Sequence, residues 1–162
     1  MADISLGTFG SLFTRLVTYV PAVFLRKKYN KLWLASHIAI DLRARNNPVT
    51  INGGELAYVD IWLNITNYGY FLVELDRLKL DFLYAGLSVN APYLKKTEIL
   101  PSVTISLYIK IPLTAEQVAH ISKNKENAYI AIQVSAEFKS EIHDFSVDTG
   151  HLTGVNPRLV NI

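Results

Sequence analysis

The 162-residue chain has no cysteine, a single methionine and only eight glycines. Without cysteine there is no disulfide, no iron–sulfur cluster, no thiolate zinc site, no cysteine nucleophile and no lipobox-type lipid anchor. Charge of one sign is scarce as well. The 16 Lys and Arg face 14 Asp and Glu, a net +2, which is not the balance of a dedicated nucleic-acid binder. Neither G-x-x-x-x-G-K-[ST] nor G-x-G-x-x-G occurs, so no phosphate-cradling loop is encoded; G-x-S-x-G and H-E-x-x-H are missing too. What remains is half apolar and 11% aromatic. Such a chain buries a core, and its length suits one domain.

The charge is uneven. Residues 1–35 hold Arg15, Arg26, Lys27, Lys28 and Lys31 against Asp3, a local +4, which leaves −2 for the rest. Phe9, Leu12, Phe13, Leu16, Val17, Val20 and Phe24 recur at three- and four-residue spacing, the period of an amphipathic helix. Thr8 or Ser11 can cap it, and Pro21 breaks or kinks it before Arg26-Lys27-Lys28. Ile4 to Leu25 is long enough to span a bilayer, but two glycines, a proline and several hydroxyls make it a poor span. We therefore expect residues 1–35 to be a docking or interfacial helix. Phe9, Leu12, Phe13, Leu16, Val20 and Phe24 form its contact face, and Arg26, Lys27 and Lys28 suit anionic lipid or a helix C-terminus. No cleavable signal peptide is evident. The cytoplasm, a peripheral membrane site or a virion stay open as locations.

From Leu34 the hydrophobic period changes to two. Ile38, Ile40 and Leu42 alternate with polar neighbours, then Val49-Thr50-Ile51, then Ala57, Val59, Ile61, Leu63 and Ile65 against Tyr58, Asp60, Trp62 and Asn64. Asn46-Asn47-Pro48, Asn52-Gly53-Gly54 and Asn67-Tyr68-Gly69 are turns, with glycine at 53–54 expected to supply positive φ. Separate strands are predicted over Phe71–Leu75 and Leu78–Tyr84, with Asp76 and Asp81 flanking the turn between them. Shorter ones follow near Leu87–Val89 and Leu94–Ile99. Val103 to Ile111, bracketed by Pro101 and Pro112, is the cleanest alternation in the chain. Thr114-Ala115-Glu116-Gln117 is a capping box that opens one short helix, with Val118 and Ile121 apolar and Asn124 at its end. Strands over Tyr129–Phe138 and Ile142–Val147 close the domain. Many short strands without βαβ alternation predict a mainly β fold, an antiparallel two-sheet sandwich of fibronectin type III or Ig kind, over residues 36–150. Residues 151–162 then form an apolar tail, whose Leu152, Val155, Leu159 and Ile162 are candidate contacts.

The order of these parts resembles the water-stress and hypersensitive-response (WHy) domain of LEA14-like proteins. The resemblance rests on Ala57 to Asn67, Phe82 to Gly86, Ser102 to Pro112, Thr114 to Ser122 and Ile130 to Gly150, and covers roughly residues 36–150. Where the family commonly has Asn-Pro, this chain has Asn67-Tyr68. The resemblance implies a non-enzymatic sandwich, membrane-attached in some relatives and linked to desiccation tolerance in some.

No catalytic residue, metal site or cofactor is predicted. His37 reads as exposed on the first strand, and His120 as a structural residue of the short helix. His143 and Asp144, adjacent on a strand, point to opposite faces. His143, Asp148 and His151 have no diagnostic metal spacing. Asn64-Ile65-Thr66 falls inside a strand, which disfavours glycosylation. Tyr58, Trp62 and Tyr108 lie on one sheet face without an interleaved basic surface, so nucleic-acid stacking is not expected. No small-molecule substrate is identified. The expected partner is a protein, a second copy of the chain or a membrane surface. The alternative role is that of a subunit in a larger assembly, such as a virion, secretion or ring-shaped machine, contacting its neighbours through the N-terminal helix and the tail.

Overall fold

The computed structural model describes residues 22–44, 47–126 and 129–162. Two short helices, α1 (Ala22–Lys28) and α2 (Lys31–Ser36), lead into β1 (Ile38–Leu42), β2 (Val49–Asn52) and β3 (Tyr58–Asn67). Then come β4 (Val73–Tyr84), β5 (Leu87–Tyr93), β6 (Thr97–Ile99) and β7 (Thr104–Pro112). Helix α3 (Ala115–Lys123) precedes β8 (Ile130–Ser140), β9 (Phe145–Leu152) and β10 (Arg158–Val160). The strands form two five-stranded sheets, packed face to face as the alternation predicts.

In the first sheet β3 is central. It pairs antiparallel with β7 along one side and with β1 and β2 in succession along the other. In the second, β4 and β8 form the middle, flanked by β5, β6 and β9. Inward-facing Val59, Ile61, Leu63 and Ile65 of β3 meet Leu75, Leu80, Phe82, Ile132 and Val134 of the second sheet in one core, all fully buried. Each such side chain contributes about 1.5–3 kcal/mol of burial.

Several expectations are corrected. Phe71–Leu75 and Leu78–Tyr84 are not two strands around a turn. β4 runs unbroken, with a bulge between Leu75 and Arg77 that inserts Asp76 as the extra residue. The bulge lets both Leu75 and Leu78 face inward although they are three apart. The two short strands expected near Leu87–Val89 and Leu94–Ile99 are β5, which runs on to Tyr93, and β6, which starts only at Thr97, with Leu94 exposed between them. The last hairpin strand starts at Phe145 and not at Ile142. Gly53 and Gly54 lack positive φ. Gly53 is required for space, because a Cβ there would lie 2.7 Å from Ile162 Cγ1 and 2.8 Å from the Asn161 carbonyl oxygen. β10, not foreseen, adds to β2 as a parallel edge. The capping box of α3 is formed as read, with Thr114 Oγ1 accepting from the Gln117 N–H and Gln117 accepting from the Thr114 N–H.

Candidate interaction surface at one pole of the sandwich

The side chain that organises this end of the molecule is Asn67. It continues the inward parity of β3 and is 1% exposed, the one buried polar residue among those described. A buried amide needs partners, and Asn67 has three. Its Nδ2 donates to the carbonyls of Phe71 (2.8 Å) and Ile99 (3.0 Å), and its Oδ1 accepts from the Gly69 N–H (2.9 Å). Backbone bonds from Asn67 to Val103, from Ser102 to Asn67 and from Tyr68 to His37 bring the β3–β4 turn, the β6–β7 loop and the α2–β1 junction together.

The helices pack onto the same pole. Asn30 caps α2 by accepting from the Trp33 N–H. Leu34 and Tyr29 enter the sandwich core, so the core extends across position 35. Tyr29 meets Trp33 and Phe71 edge-on, and Trp33 stacks between His37 (3.7 Å) and Tyr70 (5.8 Å). The carbonyl of Arg26 lies 3.2 Å from His143 Nε2, which holds α1 against the turn between β8 and β9.

At this pole several large apolar side chains are exposed. Phe24 is 68% exposed, and Tyr68, Tyr70, Leu72, Leu100 and Val103 are exposed as well. Arg26, Lys27 and Lys28 are exposed on α1, while Leu25 packs against the core. Glu141 and Asp144 are exposed on the neighbouring turn and offset part of that positive charge. No helix among the described residues is long and apolar enough to cross a membrane. Of the predicted docking face, Phe24, Arg26, Lys27 and Lys28 are thus exposed at the pole. Phe9, Leu12, Phe13, Leu16 and Val20 lie outside the described residues.

The tail residues are elsewhere. Leu152 ends β9 opposite Ile132, and Val155, Leu159 and Ile162 pack against the core of their own chain. The histidines are dispersed. His37 ends α2 instead of lying on a strand, its Nδ1 2.7 Å from the Trp33 carbonyl oxygen. His120 Nε2 contacts the Ala85 carbonyl, and His143 is in a turn, not on a strand beside Asp144. Among the described residues no three His, Asp or Glu side chains converge as metal ligands. Asp148 instead accepts from the Gly150 N–H, Gln133 and Ser135; the Gly150 bond foremost holds its carboxyl below the usual range. At the bulge, Lys139 and then Lys96 likewise lower Asp76.

On the outer face of the first sheet the aromatics are covered by cations of their own chain. Lys110 lies 3.7 Å over Tyr58, Arg43 lies 4.7 Å over Trp62, and the Tyr108 hydroxyl donates to Asp60. The shared face of these aromatics is as expected, but Lys110 and Arg43 correct the expectation that no basic residues interleave with them, and the exposed pole was not foreseen. The signal for the pole is a run of large apolar residues in loops, as in Tyr68-Gly69-Tyr70-Phe71-Leu72 and Leu100 to Val103, where polar residues are the rule.

No family model and no curated protein matches the chain. Among solved structures, a crystallised protein from Archaeoglobus fulgidus is similar at 10% identity with a TM-score of 0.41. The match covers 72% of this chain and 94% of that one.

Proposed function

We propose that this is a non-enzymatic binding module of the LEA14/WHy type, attached to an anionic membrane surface by its N-terminal segment and the uncovered pole. The supporting observation is the co-location, at the end where residue 22 enters, of Phe24 and five exposed loop apolars with Arg26, Lys27 and Lys28. Tyrosines and aliphatics at a loop-bearing end suit the interfacial zone of a bilayer, and flanking cations suit its anionic headgroups. The Asn67 network supplies rigidity, so loops and helix present one fixed surface.

The test is flotation of the full chain with vesicles of mixed zwitterionic and anionic lipid. The full chain should float, and salt should weaken it. Replacing Arg26, Lys27 and Lys28 together by Gln should lower partitioning about a hundredfold, from about 1 kcal/mol per cation. Leu100→Asp with Val103→Asp should reduce it without unfolding the protein. Full chain that stays unbound at low salt overturns the membrane reading, and the pole is then a contact for a protein partner in an assembly.

A further inference from the structure

At the opposite end of the sandwich, Asn52-Gly53 is the single Asn-Gly sequence in the chain. In such a pair the Gly main-chain nitrogen, lacking a neighbouring side chain, can attack the Asn carboxamide. A bond forms from Gly53 N to Asn52 Cγ, the Cγ–Nδ2 bond breaks, ammonia leaves, and a succinimide results. Water then opens the ring at either carbonyl to give aspartate or isoaspartate, the latter lengthening the main chain by one methylene.

Here the two partners of that reaction are held differently. The electrophile is engaged by two donors, because Asn52 Oδ1 accepts from the Gly54 N–H (3.0 Å) and from Asn161 Nδ2 (3.2 Å). Such donors polarise the carbonyl toward attack. The nucleophile is restrained, since the Gly53 N–H donates to the Val160 carbonyl (3.0 Å). Asn52 is also locked in extended backbone by pairing with Tyr58 on one side and Val160 on the other. Ring closure turns the Asn52 ψ out of that region, and Ile162 and Val118 crowd Gly53 against such a movement.

We propose that Asn52-Gly53 is a latent succinimide site kept closed by the C-terminal strand β10, so that release of the tail is recorded covalently. Once isoaspartate forms, the added methylene breaks the register with Arg158-Leu159-Val160, and the tail cannot redock. The state of this site therefore reports how long the tail has been displaced, whatever displaces it.

The test incubates three samples at neutral pH and 37 °C in heavy-oxygen water. They are the full chain, full-length chain carrying Leu159→Ala and Ile162→Ala, and the free peptide of residues 49–55. Peptide mapping reads heavy-oxygen uptake at Asn52, and circular dichroism of each protein reports folding. The full chain should deamidate at least about tenfold more slowly than the peptide, and the tail variant should fall between them, as local opening requires. Hydrogen exchange at the Gly53 amide should speed up in the same variant. Equal rates in full chain and peptide overturn the proposal. So does a folded variant whose Gly53 amide exchanges faster while its deamidation rate stays that of the full chain. Should the double variant unfold, Leu159→Ala alone provides the same comparison.

Discussion

The two ends of this sandwich solve the same problem in opposite ways. At the far end, the free edge of β2 is closed by β10 of the same chain. Ile121 of α3 is fully buried, the tail runs parallel to β2, and Gly53 gives up its side chain so that Ile162 can approach. Of the large apolar residues near that end, Leu56 and Tyr129 stay exposed. At the Asn67 end, the loops are pinned by a buried amide, yet Phe24, Tyr68, Tyr70, Leu72, Leu100 and Val103 face outward. Among the described residues, the exposed large apolar side chains gather more at the Asn67 end, and a patch of that kind suits a partner.

The largest effect that can break this comparison concerns how far the N-terminal helices belong to the pole. A chain starting at Leu34 loses Tyr29 and Trp33, whose rings meet Phe71 and Tyr70. Removing a buried aromatic costs about 3–5 kcal/mol, a large part of the usual stability of such a domain. Urea denaturation should therefore show the Leu34-start chain strongly destabilised and Tyr29→Ala in the full chain nearly as much. A chain starting at Ala22, which keeps α1 and α2, is the reference for this loss. Identical midpoints for the Leu34-start and Ala22-start chains would make α1 and α2 mere passengers on the sandwich.

The alternating strands were legible because their period is local. Val59 to Ile65 and Leu107 to Ile111 declare their inward faces residue by residue, and both are buried. The capping box of α3 was legible for the same reason. Elements that were missed depend on distant partners or on very short spans. α2 has six residues, too few to display a helical period, although Asn30 stood ready as its cap. β10 has three residues and exists through Thr50, Ile51 and Asn52, more than a hundred positions away. The bulge at Asp76 broke the alternation and so resembled a turn. The exposed pole assembles α1 with the loops at 68–72 and 100–103, which no window of sequence brings together. In the sequence Asn67 reads as a turn residue. Its inward parity on β3 was visible, but the carbonyls of Phe71 and Ile99 that satisfy it were not.

A smaller effect isolates that amide. Asn67→Ala leaves the Phe71 and Ile99 carbonyls and the Gly69 N–H without their partner in a buried site. The expected loss is about 2–4 kcal/mol, because stranded buried groups cost more than the net worth of the bonds they made. The loops it joins should exchange amide hydrogens faster, while α3 and β10 at the closed pole keep their protection beyond the global change. A uniform rise in exchange across both poles would show that Asn67 supports the whole fold and not one end.

The smallest effect sharpens the contrast between aromatic surface that is committed and aromatic surface that is not. Tyr108 is 43% exposed, yet its hydroxyl donates to Asp60 on the neighbouring strand. That bond, followed by desolvation and the Asp60 charge, raises the phenol from 10.0 to about 12. An acid harder to ionise when folded favours the folded state until the unfolded phenol begins to titrate. Its contribution is therefore whole below pH 10 and is lost as pH rises through about 12. With so much of the ring in solvent, the amount is below about 1 kcal/mol. Tyr108→Phe should melt slightly below the parent at neutral pH, and the gap should close between pH 10 and 12. A gap that stays constant across that range would mean the Asp60 bond carries no stability. Vesicle flotation should be unchanged in the same variant, because Tyr108 lies mid-strand on the face already covered by Arg43 and Lys110, away from the pole where Tyr68 and Leu100 stand uncovered.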